Sequence, residues 1–232
     1  MDIFAVNIMD MISEPLSYWD KTMKLVSAQK AEKLSRYRLK EDFVRSLLGE
    51  LLLRVQLARL LQLPNHEIVF DANLYGKPYL IGHPLEFNIS HAGNWVVCAL
   101  SHTVVGIDIE EIKAMDIGIA ERFYAKKEYA DLLAKAAEER QTYFYELWTL
   151  KESYIKAIGL GLSLPLDTFS FQITGNDIVV EDSQPRAKFF FRQYPVNSKY
   201  KLAVCHGINY FPAALTILPA QQVCREAIQL LP

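Results

Sequence analysis

Cysteine is scarce in this sequence. The 232 residues contain only three, Cys98, Cys205 and Cys224. Three cysteines so far apart form neither a disulfide framework nor a zinc site with the usual ligand spacing, and an odd number is typical of a reducing compartment. Because Cys98 and Cys205 fall in apolar, strand-like runs, we interpret them as core residues.

Excess positive charge and long apolar runs are also missing. The 25 Lys and Arg against 27 Asp and Glu give a net charge of −2, so the chain lacks the positive field of nucleic-acid-binding proteins. No run approaches the ~20 apolar residues of a membrane span, and the starting MDIFAVN lacks the basic segment of a signal peptide. We therefore expect a cytoplasmic protein that binds neither nucleic acid nor a membrane.

Hydrophobic residues, by contrast, are plentiful. They make up 51% of the sequence, which is enough for a packed core and is not typical of disorder. The length allows one large domain or two small ones, and the periodicity of the apolar residues predicts both helices and strands.

The predicted elements follow the order strand, helices, strands twice. In the first half we predict a strand at 3–8, helices at 17–26 and 28–63, and strands at 68–71, 77–80 and 95–100, with residues 87–93 as a loop. In the second half we predict that 104–110 returns as the hairpin partner of 95–100. Helices between 117 and 159 follow, then strands at 168–173, 178–181, 188–194 and 200–206, with turns at 175–177, Pro185 and 197–198. A short helix or tail covers 221–231.

Two carboxylates share one face of a predicted strand at residues 106–110 (GIDIE). On a strand alternate residues point the same way, so Asp108 and Glu110 lie together while Ile107 and Ile109 face the core. Adjacent carboxylates repel each other and are costly to bury unpaired. A Mg²⁺ ion removes that cost, since it takes one or two protein carboxylates and completes its shell with water and substrate phosphates. The alternative is a solvated sheet face.

A third carboxylate and a lysine lie near the end of a predicted helix, at residues 148–161 (WTLKESYIKAIGLG). Glu152 and Lys156 are four residues apart and therefore share a helix face, and Gly159 and Gly161 provide a C-terminal stop. These two side chains would complete a site for a metal ion and a phosphate. The alternative is an ordinary surface ion pair.

Positive charge is concentrated in one segment of the first half. Between residues 24 and 45 basic side chains outnumber acidic ones; the basic residues are Lys24, Lys30, Lys33, Arg36, Arg38, Lys40 and Arg45. The segment is either a solvated helix face or a patch that faces phosphates. His91, beside Ser90, is either a structural residue or an anion donor.

With these motifs the sequence resembles the 4′-phosphopantetheinyl transferases, in particular the type that activates the surfactin synthetase. The matching segments are residues 40–49 (KEDFVRSLLG), 75–78 (YGKP), 87–95 (FNISHAGNW), 106–110 (GIDIE), 148–156 (WTLKESYIK) and 159–166 (GLGLSLPL). The resemblance implies a mixed α+β fold of two similar α/β halves related by a pseudo-twofold axis. We place the halves at 1–102 and 103–232, with the active site at their interface.

The activity implied by the resemblance is transfer of the 4′-phosphopantetheine arm of coenzyme A to a serine of an apo peptidyl or acyl carrier domain. Such carriers belong to synthases of nonribosomal peptides, including antibiotics, of polyketides or of fatty acids, and the sequence leaves the choice open. The reaction depends on Mg²⁺ and releases 3′,5′-ADP. Phosphoryl transfer of this kind relies on positioning and on neutralising charge. A monomer is expected.

The resemblance also implies roles for individual residues. Asp108, Glu110 and Glu152 would be the Mg²⁺ ligands, with Asp108 also next to coenzyme A. Glu152 would act as general base directly or through a metal-bound water, and Lys156 would stabilise the departing charge. Residues expected to hold the 3′-phosphate or the pyrophosphate are Lys30, Lys33, Ser46 and His91, and those on the adenine side are Tyr75, Lys77 and Ser90. Ala31 stands where the family often has a basic residue.

Carrier docking is expected at residues 117–133. The candidate contacts there are Phe123, Tyr124, Lys126, Lys127, Tyr129 and Leu132; the alternative is an amphipathic segment that only covers the sheet. Glu128, in the same segment, matches a family position near the site. Two competing functions are a metal-dependent nucleotide phosphoesterase, which would want more carboxylate and histidine ligands, and a non-catalytic protein that binds carrier domains.

Overall fold

The computed structural model describes residues 1–175, 177–184 and 186–231. The strands are β1 (Asp2–Asn7), β2 (Phe70–Ala72), β3 (Pro78–Leu80), β4 (Glu86–Ala92), β5 (Trp95–Ser101), β6 (Val105–Glu111), β7 (Phe169–Thr174), β8 (Asp177–Asp182), β9 (Phe190–Gln193), β10 (Tyr200–His206) and β11 (Thr216–Pro219). The helices are α1 (Asp20–Met23), α2 (Ala28–Ser35), α3 (Lys40–Leu61), α4 (Ile117–Phe123), α5 (Lys126–Ala134), α6 (Ala137–Ile158) and α7 (Ala220–Leu230). The predicted mixed α+β fold is confirmed. Asn176 and Pro185, on which two predicted turns fall, lie outside the described residues.

The first sheet has the strand order β11-β1-β5-β4 and is covered by α3. Leu47, Leu48, Leu51 and Leu52 of α3 are fully buried, as expected for a helix that is apolar over most of its circumference. Gln62, in the left-handed conformation, follows the helix and Pro64 prevents its continuation. The helix predicted at 28–63 is interrupted between α2 and α3.

Residues from both ends of the sequence share the first core. β11 pairs in parallel with β1, and α7 packs Val223, Cys224 and Ala227 against the core that contains α3. The division at residues 102 and 103 stays a prediction, and the core of the first half as the structure has it includes α7. Among the described residues no helix has the length and apolar character to cross a membrane.

The second sheet has the order β6-β10-β9 and is covered by α6 and by a two-stranded ribbon, β7–β8. Tyr154 of α6 meets Phe169, Phe171 and Phe191 edge to face at ring-centroid distances of 5.0 to 6.2 Å, a geometry that aromatic pairs favour. This aromatic cluster holds α6 to the second sheet.

The two sheets pack on each other through a third core. Alternate residues of β1 and β5, such as Ile3 and Val97, face Ile107 and Ile109 of β6, while the residues between them face α3. The prediction that Ile107 and Ile109 face the core is confirmed. Because β1 and β5 are buried on both faces, they form the centre of the molecule.

Two predictions about the middle of the chain are wrong. Residues 87–93 are not a loop, since most of them belong to β4, which pairs with β5. β6 is not the hairpin partner of β5, because it pairs instead with β10 in the second sheet. All seven residues of β5 are buried, and its two edges are taken by β1 and β4, so no edge remains for β6.

Candidate active site

β4 and β6 meet edge to edge where the two sheets come together. Asn88 Oδ1 accepts a hydrogen bond from the Ile107 N–H (2.9 Å), and Ser90 Oγ accepts one from the Ile109 N–H (3.3 Å). Asn88 and Ser90 are alternate residues of β4 and therefore act from the same face. Polar side chains thus fix β6 beside β4, and Ser90 Oγ donates to Asp108 Oδ1 at 2.9 Å.

Gly106 lets α6 lie directly against β6. A Cβ atom at residue 106 would be 2.0 Å from the Ser153 carbonyl oxygen and 2.5 Å from the Ala157 nitrogen. Both atoms belong to the backbone of α6, so no side-chain rotation could make room for it. This close approach places Glu152 and Lys156 beside the carboxylates of β6.

Asp108 is the most buried acid of the predicted site, with 2% of its surface exposed. Lys156 Nζ lies 2.5 Å from Asp108 Oδ1 and 3.1 Å from Ser90 Oγ. Burial raises the pKa of Asp108 although the Lys156 ammonium opposes the shift. The second oxygen, Oδ2, is buried and has no hydrogen-bond partner among the described residues. A buried oxygen of this kind is costly and suits a ligand to a cation.

Glu110 and Glu152 line the same cavity as Asp108. Burial, reinforced by Asp108, raises the pKa of Glu110 to about 7, and the same two causes raise the pKa of Glu152. The three acids therefore disfavour one another's charge, as expected of carboxylates without a cation. Within residues 1–175, 177–184 and 186–231, however, no three His, Cys, Asp or Glu side chains lie close enough to hold one metal ion. The predicted acids share a cavity without converging on one point.

Three adjoining cavities contain the predicted site residues. The acidic pocket, of about 340 Å³, is lined by Ile89, Ser90, His91, Asp108, Glu110, Trp148, Glu152 and Lys156. The basic pocket, of about 450 Å³, includes Lys30, Lys33, Tyr37, Arg45, Ser46, Glu50, Gly76, Pro78, Ile89 and His91. The loop pocket, of about 360 Å³, includes Tyr75, Gly76, Lys77, Pro78, Asn88, Glu152, Lys156 and Gly159. Because each pair of pockets shares two lining residues, the three form one groove, which is lined by residues from both sides of position 102 in the sequence.

The basic pocket also contains Tyr37, Arg45 and Glu50, to which the sequence motifs assign no individual role in the site. Tyr37 donates to Ser46 Oγ at 3.4 Å, and Glu50 Oε2 lies 3.8 Å from Lys30 Nζ. Burial lowers the pKa of Lys30, although Glu50 opposes the shift. Arg45 was counted only in the basic segment. Its position next to Ser46 on a helix, and that of Glu50 one turn later, are the signals that would have found them.

The interpretation of Glu128 as a residue near the site is wrong. Its side chain is fully buried, forms an ion pair with the equally buried Lys151 at 2.7 Å, and lines none of the three pockets. Glu128 also accepts hydrogen bonds from the Phe171 and Ala125 N–H groups. Lys151 directly precedes Glu152 but points the other way into the second core, because successive residues on a helix face different directions.

Two family profiles of known proteins match the chain, and together they include all residues that line the groove. The profile of the 4′-phosphopantetheinyl transferase superfamily matches residues 104–205, and that of the N-terminal part of 4′-phosphopantetheinyl transferases matches residues 14–103. The chain is 45% identical over 201 residues to the 4′-phosphopantetheinyl transferase ffp of Bacillus subtilis, covering 86% of this chain and 90% of that protein.

Two further relatives give the same result. The 4′-phosphopantetheinyl transferase Sfp of Bacillus subtilis strain 168 is 41% identical, with 88% of this chain and 92% of that protein covered. The transferase gsp of Aneurinibacillus migulanus is 40% identical, with 86% and 84% covered. The predicted transferase, rather than a phosphoesterase or a non-catalytic binding protein, is confirmed, and the chain belongs to the 4′-phosphopantetheinyl transferase superfamily.

Proposed function

We propose that this enzyme takes the 4′-phosphopantetheine group from coenzyme A and transfers it to a serine of an apo carrier domain, with Mg²⁺ in the acidic pocket. The observation that carries the proposal is the single groove in which a lysine-rich pocket and a carboxylate-rich pocket meet. Coenzyme A carries a 3′-phosphate and a pyrophosphate, and therefore needs cations at two separate places.

The residues of the acidic pocket fit Mg²⁺. Asp108, Glu110 and Glu152 offer only hard oxygen donors, and Asp108 Oδ2 has no partner among the described residues. Because the three acids do not converge as they stand, binding by all three requires their side chains to rotate. When bound, the ion neutralises charge on the pyrophosphate and on the leaving phosphate.

The basic pocket supplies the second set of cations. Lys30 and Lys33 on α2, with Ser46 on α3 and His91 on β4, surround a space that suits the 3′-phosphate. His91 also lines the acidic pocket, so we assign it to the path between the 3′-phosphate and the pyrophosphate. Tyr75 lines the loop pocket, which we assign to the adenine side. Ser90, which was expected on the adenine side, lines the acidic pocket instead, so we place it beside the pyrophosphate.

Glu152 and Lys156 would handle the proton and the developing charge. Burial and Asp108 raise the pKa of Glu152, which makes the carboxylate a better acceptor for the proton of the attacking serine. Lys156 already bridges Asp108 and Ser90, and in the complex its ammonium would face the phosphate that departs with 3′,5′-ADP.

The carrier would dock on α4 and α5. Ile117, Ile119 and Phe123 expose apolar surface there, and Lys126 and Lys127 add positive charge that suits an acidic carrier helix. Two predicted contacts are corrected: Tyr124 and Leu132 are buried in the second core. We further place the enzyme in the cytoplasm as a single chain, with peptide-synthetase carriers as its first targets.

One assay tests this function. The enzyme is incubated with coenzyme A, Mg²⁺ and an apo peptidyl carrier domain, and the carrier is weighed by mass spectrometry. We expect a gain of one phosphopantetheine, which Asp108→Ala and Lys156→Ala should each abolish while circular dichroism shows a folded protein. Breakdown of coenzyme A without a gain in carrier mass would refute the proposal, and either variant labelling at the wild-type rate would refute the role of that residue.

A further inference from the structure

A turn of the first half reaches the end of the helix that carries Glu152 and Lys156. The Lys77 side chain, 14% exposed, places its ammonium 3.0 Å from the Ala157 carbonyl oxygen and 3.3 Å from a Glu86 carboxylate oxygen. The Val105 carbonyl oxygen lies at 3.5 Å. Asn73 Nδ2 donates to the Gly159 carbonyl oxygen at 2.9 Å. Both contacts with α6 join residues from opposite sides of the groove.

The turn is built to hold these two side chains in place. Asn73 Oδ1 accepts hydrogen bonds from the N–H groups of Tyr75 and Lys77, each at 2.9 Å. The Asn73 N–H in turn donates to the Lys77 carbonyl oxygen at 2.9 Å, and the Gly76 N–H donates to the Asn73 carbonyl oxygen at 3.0 Å. One side chain thus closes the turn with its oxygen and reaches α6 with its nitrogen.

The end of α6 needs such partners. The last four carbonyl groups of a helix receive no hydrogen bond from N–H groups of the same helix, and a positive charge near them is favourable. Gly159, in the left-handed conformation with φ +77°, ends α6. A Cβ atom there would lie 2.9 Å from Lys77 Cδ and 3.1 Å from Asn73 Nδ2. The turn therefore fits closely against the helix end and supplies both a cation and an amide donor.

We propose that Lys77 and Asn73 are positioning residues, which form a C-terminal cap for α6 from the other half and so fix Glu152 and Lys156 in the groove. Lys77 lines the loop pocket together with Gly76 and Pro78 but directs its nitrogen to the carbonyl oxygen of Ala157, the neighbour of Lys156. An ammonium has three N–H donors, and Lys77 has three acceptors within 3.5 Å. The proposal rests on the function proposed above and replaces the expected contact of the Lys77 ammonium with coenzyme A.

Lys77→Met tests this role, because it keeps the chain length and removes the charge. Lys33→Met is the matched control, since Lys33 lines the basic pocket as a proposed phosphate ligand. For each variant we would measure kcat and KM for coenzyme A, the Kd of 3′,5′-ADP, and hydrogen exchange of the amides at residues 155–160 without ligand. Lys77→Arg, which keeps a cation near the helix end, should restore part of the activity.

For Lys77→Met we expect kcat to fall about tenfold or more, with a change in the Kd of 3′,5′-ADP of less than about threefold. Exchange at residues 155–160 should accelerate. Lys33→Met should weaken the binding of 3′,5′-ADP without changing hydrogen exchange at residues 155–160. If Lys77→Met raises the Kd of 3′,5′-ADP as much as Lys33→Met does, and hydrogen exchange at residues 155–160 is unchanged, Lys77 is a ligand of coenzyme A and not a cap. Unchanged kcat with only a lower Tm would reduce the role to stability, and either result overturns the proposal. The exchange experiment needs no substrate, so it tests the cap even if the proposed function fails.

Discussion

The buried pair Lys151–Glu128 allows a quantitative test of how α6 is held. Lys151 Nζ donates to the carbonyl oxygens of Leu166 and Phe169, at 2.7 and 2.8 Å, and lies 2.7 Å from Glu128 Oε2. Glu128 Oε1 accepts from the Phe171 N–H at 2.8 Å. Phe169 and Phe171 are on β7, whose other side pairs with β8, so the two charged side chains supply hydrogen bonds that a neighbouring strand would otherwise make.

Lys151→Met should therefore be strongly destabilising. The change leaves the Glu128 carboxylate buried without its cation, and removing one partner of such a pair costs about 3–5 kcal/mol. Replacing both residues by apolar ones is neutral or stabilising in some proteins. Here the double change Lys151→Met with Glu128→Met would leave two carbonyl groups and the N–H groups of Phe171 and Ala125 without these partners, at about 1–3 kcal/mol for each group that stays buried. We expect the double variant to remain destabilised as well.

The deficit of Lys151→Met should depend on pH. Burial already raises the pKa of Glu128, and Lys151 is the main group opposing that shift. Without Lys151 the folded-state pKa rises further above the unfolded value of about 4.3, so folding takes up a proton. Stability from that protonation is present at low pH and is lost as the pH rises through the folded-state pKa. The deficit at pH 5 should then be smaller than at pH 8.

Urea unfolding followed by tryptophan fluorescence at both pH values measures these effects. Lys126→Met, on the exposed start of α5, is the control and should change the free energy of unfolding by no more than about 0.5 kcal/mol. A Lys151→Met protein within about 1 kcal/mol of wild type at both pH values, or a deficit equal at pH 5 and pH 8, would refute the reasoning.

Three further predictions concern the groove. Gly106→Ala must push α6 away from β6, because its Cβ would lie 2.0 Å from the Ser153 carbonyl oxygen. We expect the free energy of unfolding, measured in urea, to fall by about 1–3 kcal/mol or more, and kcat for carrier labelling to fall about 100-fold. Labelling at the wild-type rate would contradict this. Asn88→Ala leaves the buried Ile107 N–H without its 2.9 Å acceptor and should cost about 1–3 kcal/mol; an unchanged unfolding midpoint would show that the bond does not matter. Because the pKa of Glu110 is about 7, Mg²⁺ should bind more weakly at pH 6 than at pH 8 and release protons at pH 7; calorimetry in two buffers of different ionisation enthalpy measures this, and equal affinity at both pH values would count against Glu110 as a ligand.

Much of the fold is predictable from local pattern. The helices between 117 and 159 and the four strands from 168 to 206 are found close to their predicted positions, because each has a clear apolar periodicity. β4 was missed because its polar residues Asn88, Ser90 and His91 were interpreted as part of a loop, whereas Phe87 and Ile89 already alternate with Asn88 and Ser90. The predicted partner of β5 was wrong because strand pairing depends on which strand edges are free. One edge of β5 is occupied by β1, which is far away in the sequence.

The site is less accessible to sequence reasoning. The proposed ligands and catalytic residues that the resemblance selected all line the groove, and their individual roles stay predictions. Glu128, which the resemblance also placed near the site, is instead buried against Lys151. The resemblance could not predict the direction in which a side chain points. Lys151 and Glu152 are neighbours, yet Lys151 bonds to β7 and Glu152 lines the acidic pocket. Likewise Lys77 lies in the expected turn, but its nitrogen faces the end of α6. Such directions depend on packing between elements rather than on spacing along the chain.

The parallel pairing of β1 with β11, Phe4 opposite Thr216, has a consequence for synthesis. β1 leaves the ribosome early, yet its outer edge stays uncovered until a strand made roughly 200 residues later arrives, and such distant contacts slow folding. During that interval an open strand edge is a site for wrong pairing between nascent chains. We therefore expect the folding of the first half, rather than that of the second, to depend on chaperones. We also expect chains that stop before β11 to aggregate through the open edge of β1.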